Sequence, residues 1–217
     1  MGRAAYVIAG DLIASRKAPQ RTLLARRIER ELAALAKEYS ALWIVPPVTT
    51  RGIDEISCVL RQPEPAFDVA VRLNLALWPQ RFRFALASGE IDVATDNGDA
   101  AMMDGPAFHL AADALNRGRA EALDFVIALP PRERGECAVV EALAHLHGAM
   151  MQGWTEGTAR VVQAYESQGT QTKAAVALGI SQQSVSEAIR RGKWKDLKLA
   201  QSAIRDWLRG FGAVGNG

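Results

Sequence analysis

Apolar residues change their period several times along the chain, and each change predicts an element. Tyr6-Val7-Ile8-Ala9 is a continuous apolar run of strand length, ended by Gly10-Asp11. From Thr22 to Tyr39, residues Leu24, Ile28, Leu32, Leu35 and Tyr39 recur at helical spacing with Arg and Glu between them, which predicts a long amphipathic helix. Leu42 to Val45 reads as a second strand stopped by Pro46-Pro47. Residues 48–60 read as a hairpin turning at Arg51-Gly52-Ile53-Asp54-Glu55, with Ile56, Cys58 and Leu60 facing inward. Pro65 opens a helix over Ala66–Trp78, in which Phe67, Val71 and Leu75 share a face. Phe82, Phe84 and Leu86 alternate with Arg83, Ala85 and Ala87 in a half-buried strand ending at Gly89-Glu90. The polar stretch 92–104 reads as a loop, Gly105-Pro106 opens a helix to about Asn116, and Leu123–Leu129 is a strand closed by Pro130-Pro131.

The order is therefore strand, helix, β-hairpin, helix, strand, helix, strand. Its first part is the ferredoxin-like pattern, an α+β arrangement. From Glu136 onward only helical patterns remain: one helix to Met151, another capped near Trp154-Thr155, and a last one in which Leu197, Ile204, Leu208 and Phe211 bury. Three units are expected: an α+β domain over 1–131, a linker helix within 132–153, and an all-α domain over 154–217.

The all-α domain carries the most specific local pattern, from Gln171 to Ile189. It has the layout of a helix-turn-helix. Ala175 is small where two helices must cross closely. Gly179 stands where the chain leaves the first helix in the left-handed conformation. Ile180 fills the angle between the helices, and Ser181 is placed to cap the second. Val185 and Ile189 turn inward, which leaves Gln182, Gln183, Ser186, Glu187 and Arg190 on the outer face. Gln and Arg make bidentate hydrogen bonds to base edges in the major groove. Arg191 and Lys193, at the helix end, are placed for phosphates. Double-stranded DNA is the partner this pattern predicts, and a homodimer the form that supplies two half-sites.

Charge sharpens that reading. The net charge is only +2, yet residues 155–217 hold nine Lys/Arg against five Asp/Glu, while 1–154 hold 17 against 19. Five of the nine residues from Arg190 to Lys198 are basic. A local basic segment is the minimum electrostatic footprint of a nucleic-acid contact. The rest of the composition excludes classes. With 49% hydrophobic and 23% charged residues the chain has apolar surface enough to fold. No apolar run is long enough to span a bilayer, and the N-terminal apolar stretch is too short for a signal peptide. Two cysteines, Cys58 and Cys137, make neither a disulfide framework nor a four-cysteine zinc site, so reduced thiols in the cytoplasm are expected. His109, His145 and His147 form no metal set and read as surface or linker residues. Trp194, between two lysines, reads either as a DNA contact or as core.

Three stretches carry a resemblance: Val7 to Arg16, Arg51 to Ile56, and Gly89-Glu90-Ile91 with Gly105 to Ala112. Together they resemble the SatD family, in which a nucleotide cyclase-like domain precedes a helix-turn-helix, and the resemblance covers essentially the whole chain. It implies that Asp11 and Asp54 (or Glu55) stand where cyclases hold Mg2+ on a nucleotide. It also implies that Ser15 and Arg16 help the backbone after Asp11 to cradle phosphates. Where cyclases carry an Asn and an Arg, this chain has His109 and Asp113. The expectation is therefore a DNA-binding transcriptional regulator whose degenerate cyclase-like domain dimerises or senses a ligand, without enzyme activity. The alternative is an active metal-dependent cyclase or nucleotide hydrolase tethered to a DNA-binding module.

Overall fold

The computed structural model describes residues 5–14, 20–93, 103–130 and 134–212. Its centre is strand β1 (Ala5–Leu12), buried along nearly its whole length because it has a strand on either side and helices on both faces. Helix α1 (Arg21–Glu38) follows, then β2 (Trp43–Arg51), β3 (Glu55–Leu60), α2 (Ala66–Leu77), β4 (Phe82–Gly89), α3 (Pro106–Glu121) and β7 (Phe125–Ala128). The five-stranded sheet has the order β2-β3-β1-β4-β7. β1 runs antiparallel to both β3 and β4, β2 is antiparallel to β3, and only β7 lies parallel to its neighbour. The segment read as a loop holds two short strands at its described ends, β5 (Asp92–Val93) and β6 (Met103–Asp104), paired with each other.

Strand alternation sorts the sheet into two faces. Tyr6, Ile8, Leu12, Ile56, Cys58, Phe82, Phe84 and Leu86 pack with Leu24, Ile28, Leu32 and Leu35 of α1 and with Phe67 and Val71 of α2. The other face is small. Ala5, Val7, Val59 and Ala87 meet Ala107 and Ala111 of α3, and Ala85 and Val126 meet Ala114 and Leu115. Small side chains let α3 sit close. A Cβ added at Gly118 would lie 2.7 Å from Val126 Cγ2 and 2.8 Å from Arg83 Cδ, so glycine is what the close approach requires.

One strand boundary departs from the sequence reading. β2 does not stop at Pro46-Pro47; it continues through them to Arg51, with register shifts between Val45 and Val48. β2 is an edge strand, so a missing proline N–H removes no bond to a second neighbour.

The remaining elements are helical: α4 (Arg134–Gln152), α5 (Glu156–Gln168), α6 (Gln171–Leu178), α7 (Gln182–Arg191) and α8 (Trp194–Gly212). The whole is an α+β molecule with a five-stranded mixed sheet and eight helices among the described residues. No helix among those residues is long and apolar enough to cross a membrane. The C-terminal helices dock on the sheet's helical layer. Arg205 of α8 forms a two-pronged pair with Asp68 of α2, and Gln201 Nε2 donates to the same carboxylate at 2.6 Å. Gln163 of α5 donates to the Leu75 carbonyl at 2.6 Å, and Trp78 Nε1 to that of Met151 at 3.2 Å. The helix expected as a linker is thus a packed element: Cys137, Val140, Ala144 and Met151 of α4 belong to the core shared with α2 and α8.

Candidate functional site

Helices α5, α6 and α7 are each started by a side chain and the first two ended by glycine. Thr155, Thr170 and Ser181 accept hydrogen bonds from the backbone N–H three residues on, at 3.2, 3.2 and 3.0 Å. Each thereby satisfies an amide that has no partner within its helix. α5 ends at Gly169 and α6 at Gly179, with φ of 75° and 65°. At Gly179 the Ile180 N–H reaches the Ala175 carbonyl (3.1 Å) and the Gly179 N–H that of Val176 (3.2 Å). This bond pair closes the helix and turns the chain in three residues onto α7. Ala174 and Ala175 of α6 and Val185, Ala188 and Ile189 of α7 are buried, with Ile180 packed against them.

The outer face of α7 carries six of the seven residues singled out in the sequence, and Lys193 follows just past its end. Gln182, Gln183, Ser186, Glu187, Arg190, Arg191 and Lys193 are all exposed, and none is held by an ion pair among the described residues. Beyond them the chain is pinned. The Gly192 carbonyl accepts from Trp154 Nε1 at 3.0 Å, and a Cβ at Gly192 would lie 2.8 Å from Thr158 Cγ2. Trp194 is 1% exposed. Its Nε1 donates to Glu166 at 2.7 Å, and its ring meets Trp154 edge-to-face at 5.8 Å. Of the two readings of Trp194, the core one holds. Lys198, last of the basic run, is drawn off the outer face: it pairs with Glu166 at 3.2 Å and sits 5.5 Å from the Trp194 ring centre.

His147 corrects its reading as a surface residue. It is 2% exposed, edge-on to Phe67 at 5.3 Å and to Trp194 at 6.5 Å. Burial, with the nearby Lys198 charge, pulls its pKa down to about 4. His145 is half-buried, with Nδ1 3.7 Å from Asp124, and His109 is exposed on the outer side of α3 with Asp113.

The second candidate region lies at the end of β1. Asp11 is the cross-strand neighbour of Glu55 on β3 and Arg83 on β4. Its carboxylate receives a fork from Arg119 of α3, Nη2 to Oδ1 at 2.9 Å and Nε to Oδ2 at 3.0 Å, with Arg83 Nη1 at 3.6 Å. The bond to Asp11 raises the Arg119 pKa, while burial lowers that of Arg83. Asp54 pairs with Arg21 at 3.2 Å and Glu55 with Arg51 at 3.7 Å. Ser15 and Arg16 lie outside the described residues. Each expected metal or nucleotide carboxylate is therefore answered by a guanidinium of the chain itself. Among the described residues no group of three or more His, Cys, Asp or Glu is arranged for a metal ion. With Asp11 and Asp54 both engaged by arginines, the residues present in this geometry do not fit a bound Mg2+. Nothing in the sequence marks Arg83 and Arg119 as partners of Asp11: one alternates along a strand and the other lies in the last turn of a helix, and only the fold brings both to it.

The SatD family model matches residues 6–200 of the chain. No curated protein matches it.

Proposed function

We propose, on the premise that the chain belongs to the SatD family, that it is a DNA-binding transcriptional regulator acting as a homodimer. The observation that carries the reading is α7. Its inner face is locked by Val185, Ala188 and Ile189, its start is capped by Ser181, and its outer face offers two glutamines and two arginines, with Lys193 just beyond, none of them in an ion pair among the described residues. In this reading α6, the three-residue turn and α7 form a helix-turn-helix with α7 entering the major groove. The sheet order β2-β3-β1-β4, antiparallel throughout, supports the ferredoxin-like and cyclase-like reading of the first domain. That domain serves as a scaffold or ligand sensor, since Asp11 is engaged by Arg119 and Arg83.

The homodimer is supported by α4. Val139, Leu146 and Met150 are 75%, 59% and 41% exposed, and with Leu143 they recur every three or four residues. No charged side chain is exposed between Glu136 and the end of that helix. A second copy of the same helix is self-complementary to such a seam. The test is selection of duplexes from a randomised pool with the full-length protein. Paired half-sites about one helical turn apart are expected. A pool that stays random after repeated rounds refutes the reading.

A further inference from the structure

A cleft of about 700 Å3 opens where the C-terminal helices dock on α1 and α2. That volume is of the size small-molecule sites have, roughly 300–1,000 Å3, and such sites favour junctions between domains. Four carboxylates line it, and each is occupied. Glu31 binds Arg30 at 3.0 Å and Arg72 at 3.3 Å, and Glu38 binds Arg72 at 3.6 Å. Asp68 is held by Arg205 and Gln201, and Glu166 by Trp194 and Lys198.

Two guanidiniums in the same lining make no ion pair among the described residues. Arg27 of α1 donates to the Ala76 carbonyl at 2.5 Å, and burial lowers its pKa. It is a charge partly removed from water without a countercharge at ion-pair distance. Arg160 of α5 lines the cleft and makes no ion pair among the described residues. Both helices meet the same end of α2: Gln163, a turn along α5 from Arg160, grips the Leu75 carbonyl, and Arg27 grips the next one, Ala76. Gln201, 5% exposed in the same lining, is tied to Asp68 through its Nε2.

We propose that this cleft binds a small phosphorylated metabolite, with Arg27 and Arg160 on the phosphate. Guanidinium forks match phosphate oxygens, and a tetrahedral anion accepts from two of them at once. The ligand bridges α1 and α5, so it ties the sheet domain to the helices that carry α7. The site is separate from Asp11, and the proposal stands whether or not α7 reads DNA.

The experiment is calorimetric titration of the full chain with pyrophosphate in EDTA, so that no metal-dependent site contributes. Saturable binding is expected. Arg160→Ala should weaken it about tenfold or more, the worth of one charge-assisted contact. Arg160→Lys should restore part of the affinity, and Asp11→Asn should leave it unchanged. Because Arg160 is exposed and unpaired, R160A should unfold at the wild-type temperature. Absence of saturable binding up to about 10 mM, equal binding by wild type and R160A, or equal binding of succinate would each overturn the proposal.

Discussion

Gln183 and Arg191 lie on one helix face, about 12 Å apart at 1.5 Å per residue, and the separation divides their expected work. Gln183 is in the first turn of α7, the end that a recognition helix presents to base edges, whereas Arg191 is the last residue of the helix. A glutamine paired bidentately with adenine gives about 1–3 kcal/mol of discrimination. Gln183→Ala should therefore relax sequence preference with the salt dependence nearly unchanged. Arg191→Ala should weaken binding to every duplex and lower the salt slope by about one, because one fewer phosphate contact releases one fewer counterion. Binding isotherms on selected and random duplexes at several salt concentrations separate the two. If both variants match wild type, the outer face of α7 is not the contact surface.

The device that aims α7 is local, and so are the signals that made it legible. Ser181 and Gly179 act through bonds to residues three to five positions away, which a single sequence displays. Ser181→Ala should lower stability by about 1 kcal/mol in urea unfolding, while Ser181→Asp should keep most of it, since either an oxygen or a carboxylate caps the Ser184 N–H. Equal loss in both variants would show that the hydroxyl is not acting as a cap. The same locality explains the helices read from period alone and the alternation of β4. Element limits differ from the sequence expectation where they depend on neighbours. β2 passes through Pro46-Pro47 because it is an edge strand, and edge position is a property of the sheet. The Asp11 region shows the same limit: the carboxylate is visible in sequence, but its partner Arg119 lies 108 positions later.

Across the whole molecule, what escaped the sequence is the docking of the two halves. Asp68, at 9% exposure, is a poor core residue until Arg205 and Gln201 reach it from α8, and no period encodes such a pair. His147 sits in the same junction, between Phe67 of α2 and Trp194 of α8, and it makes stability there depend on pH. Its folded pKa of about 4 lies below the ordinary value of 6.5. The unfolded chain therefore takes up a proton first as pH falls, and the folded state loses ground from pH 6.5 down to about 4. By linkage the loss approaches about 3 kcal/mol from this one group, and it is complete below the folded pKa. Nε2 has no hydrogen-bond partner among the described residues, so an apolar ring in its place strands no donor or acceptor there. His147→Phe should be no less stable than wild type near pH 7 and should flatten that part of the stability curve, as urea unfolding between about pH 7 and pH 4.5 reads it. A variant that keeps the full wild-type slope would place the titrating group elsewhere in the junction.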